Sequence, residues 1–216
     1  FMELGGWERA HGYAANEHLL EKYGDRVPVR ENEWDNRHFW RVSNAEHLAM
    51  SEDCGIVNLS HFHMVDIEGP DHVELLEWLC AAKIGGDANI GKGVYTHFLD
   101  DEGMVRADFT VFRMADRCRL VNGADAGPRD FHYMKRVAED RGLDVTITDT
   151  SEKFITIGIW GPNARENLKK VVADPAGLDI ENFPFAAIKQ IEIAGKSVTA
   201  FRISYVGEQG WELHMK

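Results

Sequence analysis

Val65-Asp66-Ile67-Glu68-Gly69-Pro70-Asp71 runs into His72-Val73-Glu74-Leu75-Leu76-Glu77-Trp78-Leu79, and the chain then repeats the pattern. Ile157-Gly158-Ile159-Trp160-Gly161-Pro162-Asn163 leads in the same way into Ala164-Arg165-Glu166-Asn167-Leu168-Lys169-Lys170-Val171, with its turn 92 residues on (Gly69 to Gly161). Each copy reads as an apolar strand, a Gly-Pro turn, an Asp or Asn at the helix N-cap, and an amphipathic helix. So long a spacing marks two related α+β units rather than a short-period array.

Working outward, Gly93 to Leu99 reads as a strand, Asp100-Asp101-Glu102-Gly103 as a hairpin turn, and Val105 to Phe112 as the returning strand. Arg119 to Asn122 is a third strand. Asp130 to Asp140 is helical by period, and Val145 to Thr148 and Phe154 to Trp160 are strands. Ile188 to Ile193 and Ser197 to Ser204 form a hairpin about Gly195-Lys196. Strands grouped in meanders, with helices between the groups, predict an antiparallel α+β fold. Upstream, Ser43-Asn44-Ala45-Glu46 has the spacing of a capping box and opens a helix ending near Cys54-Gly55. Residues 1–40, punctuated by Trp7, Trp34 and Trp40, read as an irregular lead-in.

Composition narrows the function classes. The 216 residues carry a formal charge of −12, which repels phosphate backbones and argues against nucleic acid as a partner. No apolar run approaches the ~20 residues of a membrane helix. The N-terminus lacks the basic flank and apolar core of a signal peptide. Three widely spaced cysteines, Cys54, Cys80 and Cys118, point to free thiols in a reducing, cytoplasmic setting. A start on Phe1 and a stop at Lys216 directly after a strand-like run suggest part of a longer polypeptide. Gly85-Gly86-Asp87-Ala88-Asn89-Ile90-Gly91 lacks dinucleotide-fingerprint spacing and its preceding strand, so no flavin or nicotinamide site is expected within these residues. No serine sits in a Gly-x-Ser-x-Gly elbow, which leaves nucleophilic hydrolysis unsupported.

Two stretches carry candidate chemistry. In Gly103-Met104-Val105-Arg106-Ala107-Asp108-Phe109-Thr110-Val111-Phe112, alternation sets Asp108 with Arg106, Thr110 and Phe112 on one strand face. A carboxylate there either faces water or has a partner or a task. Ser204-Tyr205-Val206-Gly207-Glu208-Gln209-Gly210-Trp211-Glu212-Leu213 places Tyr205 and Glu212 either side of a Gly-Glu-Gln-Gly turn, with Glu208 in the turn. Asn122 ends the strand Arg119-Leu120-Val121-Asn122 and is also a plain Asn-Gly turn residue. His61, His63 and Asp66 offer three metal-type side chains, with alternation placing both histidines on one strand face, but no further convincing ligand follows. Metal binding is not expected.

These two motifs resemble the folate-binding module of the glycine-cleavage T-protein (aminomethyltransferase) family. Gly6-Trp7-Glu8-Arg9 resembles the lead-in of its dimethylglycine and sarcosine dehydrogenase branch, and Asn58-Leu59-Ser60-His61-Phe62-His63-Met64 resembles a scaffold run beside the family's substrate channel. The resemblance implies residues 1–44 as lead-in and 45–216 as a folate-binding aminomethyltransferase-like domain, with the family's C-terminal barrel absent. It implies tetrahydrofolate as cofactor, with FAD only in a separate flavin domain, and a methylated amine or aminomethyl donor as substrate. It assigns Asp108 to the reactive folate nitrogens, Glu212 to the pterin donors, Tyr205 to orientation, and Asn122 and Leu120 to pterin contact. Ala107 stands where the T-protein often has a second acid, as in the dehydrogenase branch. Alternatives are the T-protein itself, a demethylase of sulfonium or methoxy compounds, and a non-catalytic iron–sulfur assembly factor. The last is set apart by the missing cysteine in Gly91-Lys92-Gly93-Val94-Tyr95.

Overall fold

The computed structural model describes residues 1–4, 7–31, 39–124 and 126–216. In chain order the elements are β1 (Met2–Leu4), β2 (Trp7–Arg9), α1 (Leu19–Tyr23), α2 (Trp40–Glu52), β3 (Gly55–Asn58), β4 (His63–Glu68) and α3 (His72–Leu79). Then come β5 (Lys92–Leu99), β6 (Val105–Arg113), β7 (Arg117–Asn122), α4 (Gly127–Arg141) and β8 (Thr146–Asp149). The second unit holds β9 (Ile155–Trp160), α5 (Ala164–Lys169), β10 (Ile188–Ile193), β11 (Lys196–Phe201) and β12 (Gly210–Met215).

The strands form two five-stranded antiparallel sheets, ordered β5-β6-β7-β4-β8 and β10-β11-β12-β9-β3. The repeat in the sequence is thus a repeat in the fold. β4-α3-β5-β6-β7 corresponds to β9-α5-β10-β11-β12, and the ladders match pair for pair. His63↔Asn122 through Glu68↔Arg117 corresponds to Ile155↔Met215 through Trp160↔Gly210. Even the flanking strands agree, although α4-β8 follows its unit and α2-β3 precedes its own.

The Gly-Pro turns hold because glycine alone fits them. Gly69 has φ 110° and Gly161 φ 132°, and an added Cβ would stand 2.5 Å from the Asp144 carbonyl and 2.3 Å from the Asp53 carbonyl. The following Asp71 and Asn163 take the N-cap position but do not cap their helices with their side chains. Instead Asp71 Oδ2 accepts from the Asp144 amide at 2.8 Å, and Asn163 Nδ2 donates to Asp53 Oδ1 at 2.9 Å. Each stitches its helix to the end of the neighbouring one.

Three layers of apolar contact follow. Leu75, Leu76, Leu79, Phe98, Phe109, Leu120 and Met134 fill the space between the first sheet and α3 and α4. Leu168, Phe183, Val198, Trp211 and Leu213 do the same beneath α5. Met64, Phe112, Val121, Phe154 and Phe201 join the opposite faces of the two sheets, with the Phe112 and Phe201 rings 4.8 Å apart. Gly93 on β5 lets Phe201 in, since a Cβ there would lie 2.3 Å from its ring. At about 1.5–3 kcal/mol per buried side chain, this third cluster fastens the two units together.

Three expectations are corrected. The lead-in contains regular structure: β1 and β2 pair, and Tyr23 and Val27 pack with Ala45. α2 starts at Trp40 after an N-cap at Phe39, so Ser43 and Asn44 are interior to it, and Asn44 Nδ2 donates to the Trp40 carbonyl at 2.7 Å. Trp34 and Gly6 lie outside the described residues. β11 ends at Phe201, short of the expected Ser204, and Tyr205 lies in the loop that follows.

Candidate functional site

Alternation along β6 sends Phe109 and Val111 into the helix-side core and Phe112 into the cluster between the sheets. Asp108 and Thr110 share the Phe112 face. Burial deepens along it, from exposed Asp108 through Thr110 at 7 % to Phe112 at 0 % exposure. The inter-sheet layer therefore opens to solvent at the Asp108 end. Register adds two residues from β5: Tyr95 stands opposite Thr110 and His97 opposite Asp108. The Tyr95 hydroxyl donates to Asp108 Oδ2 at 3.2 Å. Desolvation and the Asp108 charge push that hydroxyl above its ordinary pKa.

On β12, Trp211 and Leu213 enter the second core, so Glu212 and His214 face the first sheet. The His214 ring meets Phe112 edge-on at 5.1 Å. Glu212 is only 1 % exposed, and Tyr205 donates to its Oε1 at 2.6 Å. His214 Nε2 lies 3.1 Å from the other oxygen, Oε2. Burial pushes the Tyr205 hydroxyl well above its ordinary pKa; the charges of Glu212 and Asp108 add to this and the Thr110 hydroxyl partly offsets it. Carboxylates from both sheets thus act on one tyrosine. Trp160 braces it: its ring meets Tyr205 at 5.7 Å and its Nε1 donates to the Ile203 carbonyl at 2.7 Å.

Asp108, Tyr205 and Glu212 are brought together by this arrangement. Leu120 is not: it is 1 % exposed in the helix-side core of the first sheet. Asn122, buried at the end of β7, shares that side and donates to Asp130 Oδ2 on α4 at 3.4 Å. His61, His63 and Asp66 diverge. His61 sits in the turn before β4 rather than on a strand, lowered in pKa by burial and by Arg9. It lines a separate cavity of about 990 Å³ with Arg9, Glu46 and Met50. His63 Nε2 bonds Asp149 Oδ2 at 3.2 Å, while Asp66 takes the Arg119 guanidinium at 2.6 and 2.7 Å. Among the described residues, no three His, Cys, Asp or Glu side chains are grouped to hold a metal ion. Tyr95, His97, His214 and Thr156 were not legible as site residues. The hairpin turn at Asp100–Gly103 was the signal for the first two, since it fixes which residues oppose Asp108 and Thr110.

The fold and site define a protein of two related antiparallel α+β units with acidic and phenolic side chains meeting where their sheets face each other. The family model described as the GCVT N-terminal domain matches residues 1–216, and the chain belongs to that family. It is 30 % identical over 210 residues to rat (Rattus norvegicus) dimethylglycine dehydrogenase, covering 97 % of this chain and 23 % of the relative. It is 31 % identical over 222 residues to human sarcosine dehydrogenase, covering 96 % and 23 %. It is 30 % identical over 200 residues to an aminomethyltransferase of Listeria welshimeri, covering 91 % and 52 %. The chain thus spans about a quarter of the dehydrogenases and half of the aminomethyltransferase. A crystal structure of glycine cleavage system aminomethyltransferase T from Bartonella henselae shares the fold, with a TM-score of 0.67 at 21 % identity over 91 % of this chain and 52 % of that one. No closed barrel occurs among the described residues. No described helix is long and apolar enough to cross a membrane.

Proposed function

We propose that the mouth of the inter-sheet layer binds tetrahydrofolate and transfers a one-carbon unit to it, forming 5,10-methylenetetrahydrofolate. The observation that carries this reading is the convergence of Asp108, Tyr205 and Glu212 from two sheets. The donor set fits: a pterin presents amide and guanidine-like N–H groups, and an ionised carboxylate accepts two of them in parallel. Tyr205 donates to Glu212, so the ligand's N–H groups reach that carboxylate by taking the place of the Tyr205 hydroxyl. Asp108 is exposed at the mouth, where it holds the reacting folate nitrogen and takes its proton. The folate supplies the nitrogen nucleophile; the protein aligns it with the electrophilic carbon and keeps out water, which would release formaldehyde instead.

The relatives support a methylated amine as ultimate donor, oxidised in a separate FAD-bearing domain of a dimethylglycine or sarcosine dehydrogenase-type enzyme. An aminomethyl donor, as in an aminomethyltransferase, is the second reading and rests on the Listeria relative. Residues 45–216 would form the folate-binding domain and 1–44 its lead-in. A reducing, cytoplasmic setting fits the three free cysteines.

Calorimetry with tetrahydrofolate tests the site. Glu212→Ala is expected to weaken binding about tenfold or more, the weight of one charge-assisted hydrogen-bond pair. Asp108→Asn is expected to fold and bind but lose most methylene transfer in the full enzyme. Binding untouched by Glu212→Ala, or full transfer by Asp108→Asn, would overturn the assignment.

A further inference from the structure

We propose that His214, oriented by Thr156, is a positioning residue that holds the Glu212 carboxylate in place for the ligand; this rests on the folate reading above. Glu212, His214 and Thr156 are 1 %, 1 % and 0 % exposed, so water does not solvate the carboxylate and protein donors must. A carboxylate only accepts hydrogen bonds. Tyr205 serves Oε1 and His214 Nε2 serves Oε2, which requires the ring proton on Nε2. His214 Nδ1 lies 3.1 Å from Thr156 Oγ1, and in the neutral ring this nitrogen accepts the Thr156 hydroxyl proton. The protons of Thr156, His214 and Tyr205 then all run toward one carboxylate. The opposite tautomer would set the Nε2 lone pair against Oε2.

The sheet itself fixes this relay. Thr156 and His214 are direct cross-strand partners on β9 and β12, and Glu212 and His214 share a face two residues apart. Phe112 closes on the ring edge-on from the first sheet. His214 therefore acts through Glu212, on the oxygen that Tyr205 does not use.

The test uses the 216-residue chain and two readouts. Ring-nitrogen NMR, with His214 assigned by substitution, is expected to show the proton on Nε2 and an unprotonated, hydrogen-bonded Nδ1. Calorimetry is expected to show tetrahydrofolate binding weakened about tenfold or more by His214→Phe and about threefold by Thr156→Val, the range for losing donors to a charged and a neutral group. His214→Gln, whose amide N–H replaces Nε2–H, is expected to recover most of the affinity. Thermal denaturation confirms that each variant is folded. Equal affinity in wild type, His214→Phe and His214→Gln, or a ring with Nε2 unprotonated, would overturn this proposal alone. No binding by wild type, with the full-length protein also failing to bind, would overturn the folate reading and this proposal with it.

Discussion

The two units place different chemistry at the same point of the same ladder. In the first, β4 and β7 pair Asp66 with Arg119, and the two side chains close on each other as a bidentate ion pair. In the second, β9 and β12 pair Gly158 with Glu212. Across β9 the carboxylate meets no side chain, across β11 it meets only the Phe201 ring, and it draws its donors from a loop tyrosine and a histidine on its own strand. Gly158 is kept small by Trp160, whose ring atoms would lie 2.0 Å from an added Cβ. That ring in turn braces Tyr205. One position is satisfied across its own ladder; the matching one is satisfied from a loop outside the ladder, and it is there that we propose a ligand binds.

Breaking the self-satisfied side should have the largest effect on stability. Arg119 is 3 % exposed, and Arg119→Leu strands the Asp66 charge. Urea denaturation is expected to show a loss of about 3–5 kcal/mol, most of it recovered when Asp66→Leu is added. Folded Asp66→Leu/Arg119→Leu should bind tetrahydrofolate like wild type; if it does not, the two ladders are not divided as described.

Crowding the other side comes next. Gly158→Ala drives a methyl into the Trp160 ring and should cost about 1–3 kcal/mol by thermal denaturation. Tetrahydrofolate affinity should fall with it, because Trp160 no longer holds the Tyr205 loop. An unchanged stability would mean that Trp160 yields freely and the brace is unimportant.

The smallest effect sharpens the periphery of the first unit. Desolvation raises the Asp149 carboxyl, but the Ser151 hydroxyl and amide and then His63 outweigh it, so its pKa falls below the usual carboxylate value. A depressed folded value means stability is present above the unfolded value, about 4, and is lost as pH falls through the lower folded one. The stability gap between wild type and Asp149→Asn should therefore be full at pH 7 and shrink below about pH 4. A gap that widens in acid would reverse the sign of this interaction.

Much of the architecture was legible in the sequence because it depends on local geometry. Gly69 and Gly161 sit where only glycine fits, so the repeat and its antiparallel α+β units could be read directly. The face that Asp108 shares with Thr110 and Phe112 was readable from alternation on β6. What alternation does not say is what covers each face. The Glu212 and His214 face of β12 looks like a solvated strand face, but it meets the other sheet, and so His214 and Thr156 stayed hidden. Leu120 and Asn122 were misgrouped with Glu212 for the same reason, since their side of β7 meets α3 and α4. The strand read as far as Ser204 stops at Phe201, where the ring turns into the layer between the sheets against Gly93.

Hydrogen–deuterium exchange of the 216-residue chain with and without tetrahydrofolate tests the central claim most directly. Added ligand is predicted to protect β5, β6 and the loop from Ser204 to Gln209, and to leave α3, α4 and the cavity around Arg9, Met50 and His61 unchanged. Protection centred on that cavity, with none at Asp108 or Tyr205, would contradict the placement of the site between the sheets.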